Sequence, residues 1–399
     1  MTRRTLTGAA VAAIAATALL VGGALRMNGE ETSRAPTNQL VRAGLEEQSL
    51  ARRTGEPTHY TRSERALRQA LAQDPNDVRA LIGLASLANT RHHFREGLAL
   101  ARRVRSLAPD MALAYGVMGD ALVELGRFEA GYRAYEKMAE LKPSIAAYAR
   151  VAEVQASIGE SGSARRTIHL ALDSAVDAET RAWAYVELGR LDRSDLRFAA
   201  AAGHFRNALA VSPGNPLALE AWGETEAARG NLKRAISLQR QAVARRFSPE
   251  FAASLGDLYT VAGKRKAAAK AYDLVQRQEK RLAANGVDTD VDRAMFQLEH
   301  GIDLRGSLGL ARRGYAQRPG TEASEVLSWA LVRNGECNEA VRYSNQALRF
   351  PDGHRYFHRG MIESCLGRKA KAQQLFRQAL DTDPNFSPIW ARFARLQLD

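Results

Sequence analysis

The chain has 399 residues, and 57 Lys and Arg against 44 Asp and Glu give it a net charge of +13. A surface that basic favours anionic lipids, wall polymers or, in another compartment, nucleic acid. Only two cysteines occur, Cys337 and Cys365, so none stands near residue 25 and a lipoprotein anchor is excluded.

Arg3-Arg4 precede an uncharged stretch of 21 residues, Thr5 to Leu25, made mostly of Ala, Leu, Val, Ile and Gly. A helix of that length spans a hydrocarbon core. The same stretch fits the charged and apolar regions of an export signal. Gly22-Gly23-Ala24 offers small residues for cleavage, whereas Arg26 following at once suits a retained anchor, so residues 1–27 read as either. In both cases the arginines stay on the cytoplasmic side and the remainder of the chain is expected beyond the cytoplasmic membrane. Residues 28–43 are polar, contain Pro36 and read as a tether.

From residue 44 onward the chain is periodic. Pro75, Pro109 and Pro143 stand 34 residues apart, and Pro213, Pro319 and Pro384 close similar stretches. Such a period is the signature of stacked helical hairpins, each too small to bury its apolar face alone. Aligned on the prolines, ten units begin near Gly44, Val78, Ala112, Ile145, Ala182, Pro216, Pro249, Asp288, Thr321 and Gly353. Gly126, Gly159, Gly230, Gly263, Gly335 and Gly367 fall where the first helix must stop, since Gly tolerates the left-handed C-terminal conformation. The extra residues Arg53 to Thr58 predict a longer turn in the first unit, and Ser174 to Ala178 a longer connection after the fourth. The second helix of the seventh unit runs to about Ala284, and Asn285-Gly286 then reads as a joint between residues 44–284 and 285–385. Residues 386–399, with Trp390, Phe393 and Leu396 at helical spacing, read as a capping helix.

The motifs carry a family signature. Leu255-Gly256-x-x-Tyr259 is followed by Ala268-x-x-x-Tyr272, and Ala372-x-x-x-Phe376-x-x-Ala379-Leu380 leads to Pro384. This pattern resembles the tetratricopeptide repeat across roughly residues 44–385. The resemblance implies an all-α, right-handed superhelix whose concave face is lined by the first helix of each hairpin. The lining positions hold Asp120, Glu124, Glu153, Glu187, Arg190, Glu220, Glu224, Asp257, Asp292, Glu299 and Glu325, with fewer basic residues, among them Arg150, Arg193 and Arg333. A neutral to acidic groove inside a basic protein is therefore expected, suited to basic or mixed-charge peptides. Some members grip a terminal carboxylate with Lys, Asn and Arg. The matching places here hold Gln48, Arg52, Gly83, Leu113 and Val117, so that clamp is missing.

In the repeat register Cys337 opens the second helix of the ninth unit and Cys365 closes the first helix of the tenth, so the two should be neighbours. Outside the cytoplasm they would form a disulfide. The alternative is two buried free thiols.

Signs of chemistry are few. The chain has no Gly-rich phosphate loop with Lys-Ser/Thr, no His-Glu-x-x-His and no nucleophile elbow. His354 and His358 lie four apart, and two ligands make no metal site. No cofactor is expected. The favoured function is a non-enzymatic scaffold that holds a peptide or protein partner in the cell envelope. The alternatives are a membrane-anchored regulator facing the cytosol and a basic binder of anionic polymers. The basic residues scatter along the outer helices, as in Arg102-Arg103, Arg165-Arg166, Arg245-Arg246, Lys264-Arg265-Lys266 and Arg312-Arg313, and nucleic acid is not the expected partner.

Overall fold

The structure, a computed structural model, describes residues 35–398. The signal or anchor expected at residues 1–27 and the start of the tether lie outside the described residues. Among the described residues there are twenty-one helices and no strand. The chain divides into two compact units, one holding residues 35–151 with 280–289, the other 152–279 with 290–398.

The first unit contains the hairpins α1/α2 (Ala35–Thr54, Thr58–Gln73), α3/α4 (Val78–Thr90, Phe94–Leu107) and α5/α6 (Ala112–Glu124, Phe128–Leu141), and the start of α7 (Ile145–Ser157). The expected tether is corrected here: α1 begins at Ala35, and Val41 is buried in a cluster with Leu67, Ala80 and Leu84. The extra residues of the first unit are absorbed by that 20-residue helix, because its apolar face continues toward its N-terminus. The turn that follows is only residues 55–57, no longer than the turns of later hairpins.

The second unit continues with α8 (Ser161–Asp173), α9/α10 (Ala178–Ser194, Phe198–Val211), α11/α12 (Pro216–Ala228, Leu232–Arg245) and α13/α14 (Pro249–Val261, Arg265–Ala284). It ends with α15/α16 (Asp290–Glu299, Leu304–Gln317), α17/α18 (Thr321–Arg333, Cys337–Ala347), α19/α20 (Gly353–Cys365, Lys369–Thr382) and α21 (Trp390–Leu396). The connection from α8 to α9 is four residues, the same as that from α10 to α11, so the lengthening expected after the fourth unit is absent. In its place α9 is long, starting at Ala178 rather than Ala182 because Asp177 caps it through Thr180 N–H.

Two local rules hold the hairpins together. The first is the left-handed residue that ends each first helix, with φ +75° at Gly126, +81° at Gly230 and +74° at Gly367. His92 and Leu196 take the same conformation in the second and fifth hairpins, at φ 63° and 59°. The second rule places a glycine sixteen residues before an aromatic ring. Gly119, Gly189, Gly256 and Gly360 leave no room for a Cβ beside Tyr135, Phe205, Tyr272 and Phe376. The fully buried Phe205 and Phe376 then pack with the alanines around them into continuous clusters.

Asn285-Gly286 does not divide the molecule. The chain passes between the units within α7, again at 279/280 within α14 and at 289/290, and residues 280–289 belong to the first unit. Arg281 pairs with both carboxylate oxygens of Glu56 at 2.8 and 2.6 Å, and Thr61 donates to Asn285 at 3.2 Å. Asp288 N–H donates to the Arg91 carbonyl at 2.9 Å, and its own carbonyl accepts from His92 Nδ1 at 2.8 Å. At the other end α21 covers the last hairpin differently from expectation. Trp390 and Phe393 stack near Phe357, and Ala391 and Ala394 are buried, but Leu396 faces solvent.

Candidate functional site

Consecutive first helices touch one another within each unit, as α3 with α5, α9 with α11, and α17 with α19. Their facing side chains are mostly charged, and they pair across neighbouring repeats at a fixed offset. A residue meets one about 30 positions on, which is the repeat length less one helical turn.

In the first unit the pair is Asp120 with Arg150, at 2.7 and 2.6 Å in a two-pronged contact, and Tyr135 also donates to Asp120 at 3.0 Å. Arg150 is almost fully buried, so this carboxylate is a structural counter-ion rather than an open groove position. Glu124 is buried too. Gln48, at a place where other members hold a clamp residue, is buried and donates to the Gly83 carbonyl at 2.9 Å and to Ser63 at 3.1 Å. In this unit the lining is neutral at this point: Asp120 is paired with an arginine on the next first helix.

In the second unit Glu153 is half-buried on α7. The network that follows is looser. Arg190 reaches Glu187 and Glu220, each at 3.4 Å, and Arg193 reaches Glu224 at 3.5 Å. Three carboxyls here face two guanidiniums. Burial raises the Glu187 carboxyl, with Arg190 opposing. Burial and the neighbouring Glu224 push Glu220 well above the usual carboxylate range. Glu224 keeps 38% of its side chain exposed and is the open end of the set.

Asp257 lies at the next boundary. Tyr272 and His300 Nε2 both donate to its Oδ1 at 2.8 Å, while His300 Nδ1 donates to the Phe296 carbonyl at 2.7 Å. Burial lowers the His300 pKa, but Asp257 more than reverses that and favours the charged ring. Asp292 pairs with the buried Arg318 at 3.3 Å. Near it, burial and Asp292 raise the Glu279 carboxyl to about 7.

The densest cluster joins the last three hairpins and was not foreseen as a unit. His358 is buried, stacked on Trp329 at 4.4 Å, with Glu299 3.3 Å from Nε2 and Glu325 3.2 Å from Nδ1. Glu325 also accepts from Arg355 Nε at 2.8 Å, and Arg355 reaches Asp352 at 3.0 Å. Burial lowers the His358 pKa, but the two carboxylates lift it to about 9. Burial raises Glu325, but Arg355 and His358 bring it down to about 2. The 30-residue offset between Glu325 and Arg355, which Asp120 and Arg150 share, is the sequence signal that would have found them. Among the described residues no group of three or more His, Cys, Asp and Glu has the geometry to hold a metal ion.

Cys337, the first residue of α18, and Cys365, the last of α19, are joined by a disulfide with Cα atoms 6.1 Å apart. That separation is ordinary for such a bond.

With this geometry, family models of the tetratricopeptide repeat match residues 112–145, 180–250 and 353–386. Among solved structures the fold is similar to that of a human IFIT1 dimer with m7Gppp-AAAA, at 16% identity, covering 77% of this chain and 71% of that one with a TM-score of 0.50. Weaker likenesses are to yeast Tom70 (14% identity, 93% and 71% covered, TM-score 0.45) and to YrrB, a TPR protein with an unusual peptide-binding site (18%, 45% and 91%, 0.31). No curated protein matches the sequence. The described residues are thus all-α, with tetratricopeptide repeats at residues 112–145, 180–250 and 353–386 and a fold that resembles solved structures built on that repeat. That repeat generally serves as a scaffold for protein or peptide contacts.

Proposed function

We propose that the chain is a non-enzymatic scaffold in a bacterial cell envelope. It holds an extended peptide or protein segment, basic or mixed in charge, along the first helices of its fifth and sixth hairpins. The observation that carries this reading is the incomplete network of Glu187, Arg190, Arg193, Glu220 and Glu224. Its ion pairs are long, its carboxyls outnumber its guanidiniums, and Glu224 opens to solvent. The pair at Asp120 is saturated by comparison, both of its carboxylate oxygens being held by Arg150. A lysine or arginine arriving between Glu220 and Glu224 would balance the set and allow Glu220 to ionise. Selectivity then comes from charge and shape at fixed backbone positions.

The envelope placement rests on Arg3-Arg4 and the apolar stretch to Leu25, together with the Cys337–Cys365 disulfide, a bond suited to an oxidising compartment. No helix among the described residues is long and apolar enough to cross a membrane, so the stretch from Thr5 to Leu25 is the segment that would.

The test is a peptide library screened against the purified chain and an E220Q/E224Q variant. The wild type should enrich Lys- and Arg-containing peptides, and the variant should bind the selected peptides about tenfold more weakly, a loss of ~1.4 kcal/mol. Enrichment without charge preference, or unchanged affinity in the variant, would contradict the assignment.

A further inference from the structure

The charge of this chain is not spread as evenly as its basic doublets suggest. Residues 232–277 hold ten Lys and Arg against three Asp and Glu, a net +7 out of the whole chain's +13. The three acids are all occupied: Asp257 by Tyr272 and His300, Asp273 by Arg277, and Glu250 by Ser248. The cations mostly are not. Lys233, Arg240, Lys264, Arg265, Lys266 and Lys270 are exposed and make no ion pair with the described residues. Elsewhere several outer arginines are neutralised, as Arg165 by Asp192 and Asp195, Arg312 by Glu336, and Arg313 by Asp290.

The helical register puts these cations on the solvent stripe of each helix. On α12, Lys233 and Arg240 are seven residues apart on the solvent stripe, opposite the buried Ala235, Leu238 and Ala242. On α14, Lys266 and Lys270 follow the same stripe, opposite the buried Ala268, Ala271 and Val275. Both are second helices of consecutive hairpins, and Lys233 and Lys266 hold the same position in successive repeats, 33 residues apart. Between them Lys264-Arg265-Lys266 opens α14 just after Val261, an apolar side chain left half-exposed.

We infer that the outer face of α12 and α14 is a docking surface for an anionic lipid bilayer. Charge complementarity sets the sign of the partner. The patch holds mostly lysine ammonium groups and an exposed valine, and no exposed aromatic ring on which a nucleobase could stack. Lysines near a bilayer gain from headgroup charge without needing a shaped site. One apolar segment with a cationic patch is also the combination that gives stable peripheral attachment. The choice of a lipid over another polyanion rests on the proposed membrane segment at Thr5–Leu25. The cationic face itself does not.

The test uses the full chain with vesicles of pure phosphatidylcholine and vesicles containing phosphatidylglycerol. Partitioning onto phosphatidylcholine reports the N-terminal segment alone, so failure there removes the membrane-segment reading and leaves the patch to be judged separately. The wild type should prefer the anionic vesicles, and the preference should shrink steeply with added salt. A K264Q/K266Q/K270Q variant, altered only at exposed positions, should lose that preference on the order of 10- to 100-fold while its partitioning onto phosphatidylcholine stays unchanged. Equal partitioning of wild type and variant onto anionic vesicles would overturn the proposal. So would a single-stranded oligonucleotide that binds the wild type more tightly than the anionic vesicles do.

Discussion

Replacing Glu325 by Ala is expected to destabilise the unit that holds residues 290–398 by about 3–5 kcal/mol, read from urea unfolding followed by Trp fluorescence. The change strips one carboxylate from two buried cations at once, since Glu325 meets both Arg355 and His358. Arg355 is left with Asp352 and His358 with Glu299 alone, in surroundings where an unpaired charge has no water to replace its partner. A double variant, E325L/R355M, should recover much of the loss, because an apolar pair of similar volume avoids the desolvation of both ions. The same cluster fixes how stability depends on pH. His358 has its pKa raised from 6.5 to about 9, so its contribution is complete below pH 6.5 and is lost as pH rises toward 9. Glu325 has its pKa lowered from 4.5 to about 2, so its contribution is present above pH 4.5 and is lost as pH falls toward 2. Glu279 adds to the alkaline side: with its pKa raised to about 7, the folded state loses stability between pH 4.5 and 7. Stability of this unit should therefore peak in mildly acidic solution. A maximum above pH 8 would show that His358 is not held as an imidazolium.

Loss of the Cys337–Cys365 disulfide is the second large effect. The bond closes a loop with a sequence separation of 28, and a C337S/C365S variant should be less stable by roughly 3–4 kcal/mol on the chain-entropy account. It ties the start of α18 to the end of α19, so the hairpin that carries Arg355 and His358 is held in register with the one that carries Glu325. Thermal unfolding with and without a thiol reductant checks this directly. The wild type in reductant should fall to the melting temperature of the Ser variant, and identical curves for oxidised and reduced wild type would contradict it.

Much of this molecule is legible in the sequence because repetition multiplies weak signals. One Gly sixteen residues before an aromatic says little, but Gly119, Gly189, Gly256 and Gly360 repeat the same close approach, and the prolines fix where each repeat begins. Seven of the ten starting points, from Val78 to Gly353, fall at the residue where the helix begins. The exceptions have physical reasons. Gly44 lies nine residues inside its helix, because the run from Ala35 is polar on one face and reads as a tether, whereas Val41 packs in the core. Ala182 was late because a capping Asp177 lengthens its helix, and Asp288 was early because its backbone is bonded to Arg91 and His92. The inner face was legible in position but not in state. Single-position counting finds Asp120 and Asp257 and reports an acidic lining. Their partners Arg150 and His300 lie 30 and 43 residues away, and pairing across repeats is invisible to a list of positions. His354 and His358, read as a spacing, suggested at most a metal, whereas burial between two glutamates makes His358 a structural cation.

The central claim is that the first-helix face around Glu220 and Glu224 receives the partner. Hydrogen–deuterium exchange with and without a Lys-rich peptide from the library measures this most directly. Slower exchange should be confined to Ala178–Ser194 and Pro216–Ala228, and should vanish in the E220Q/E224Q variant. Protection found on Phe198–Val211 and Leu232–Arg245 instead, unaffected by those substitutions, would contradict the account.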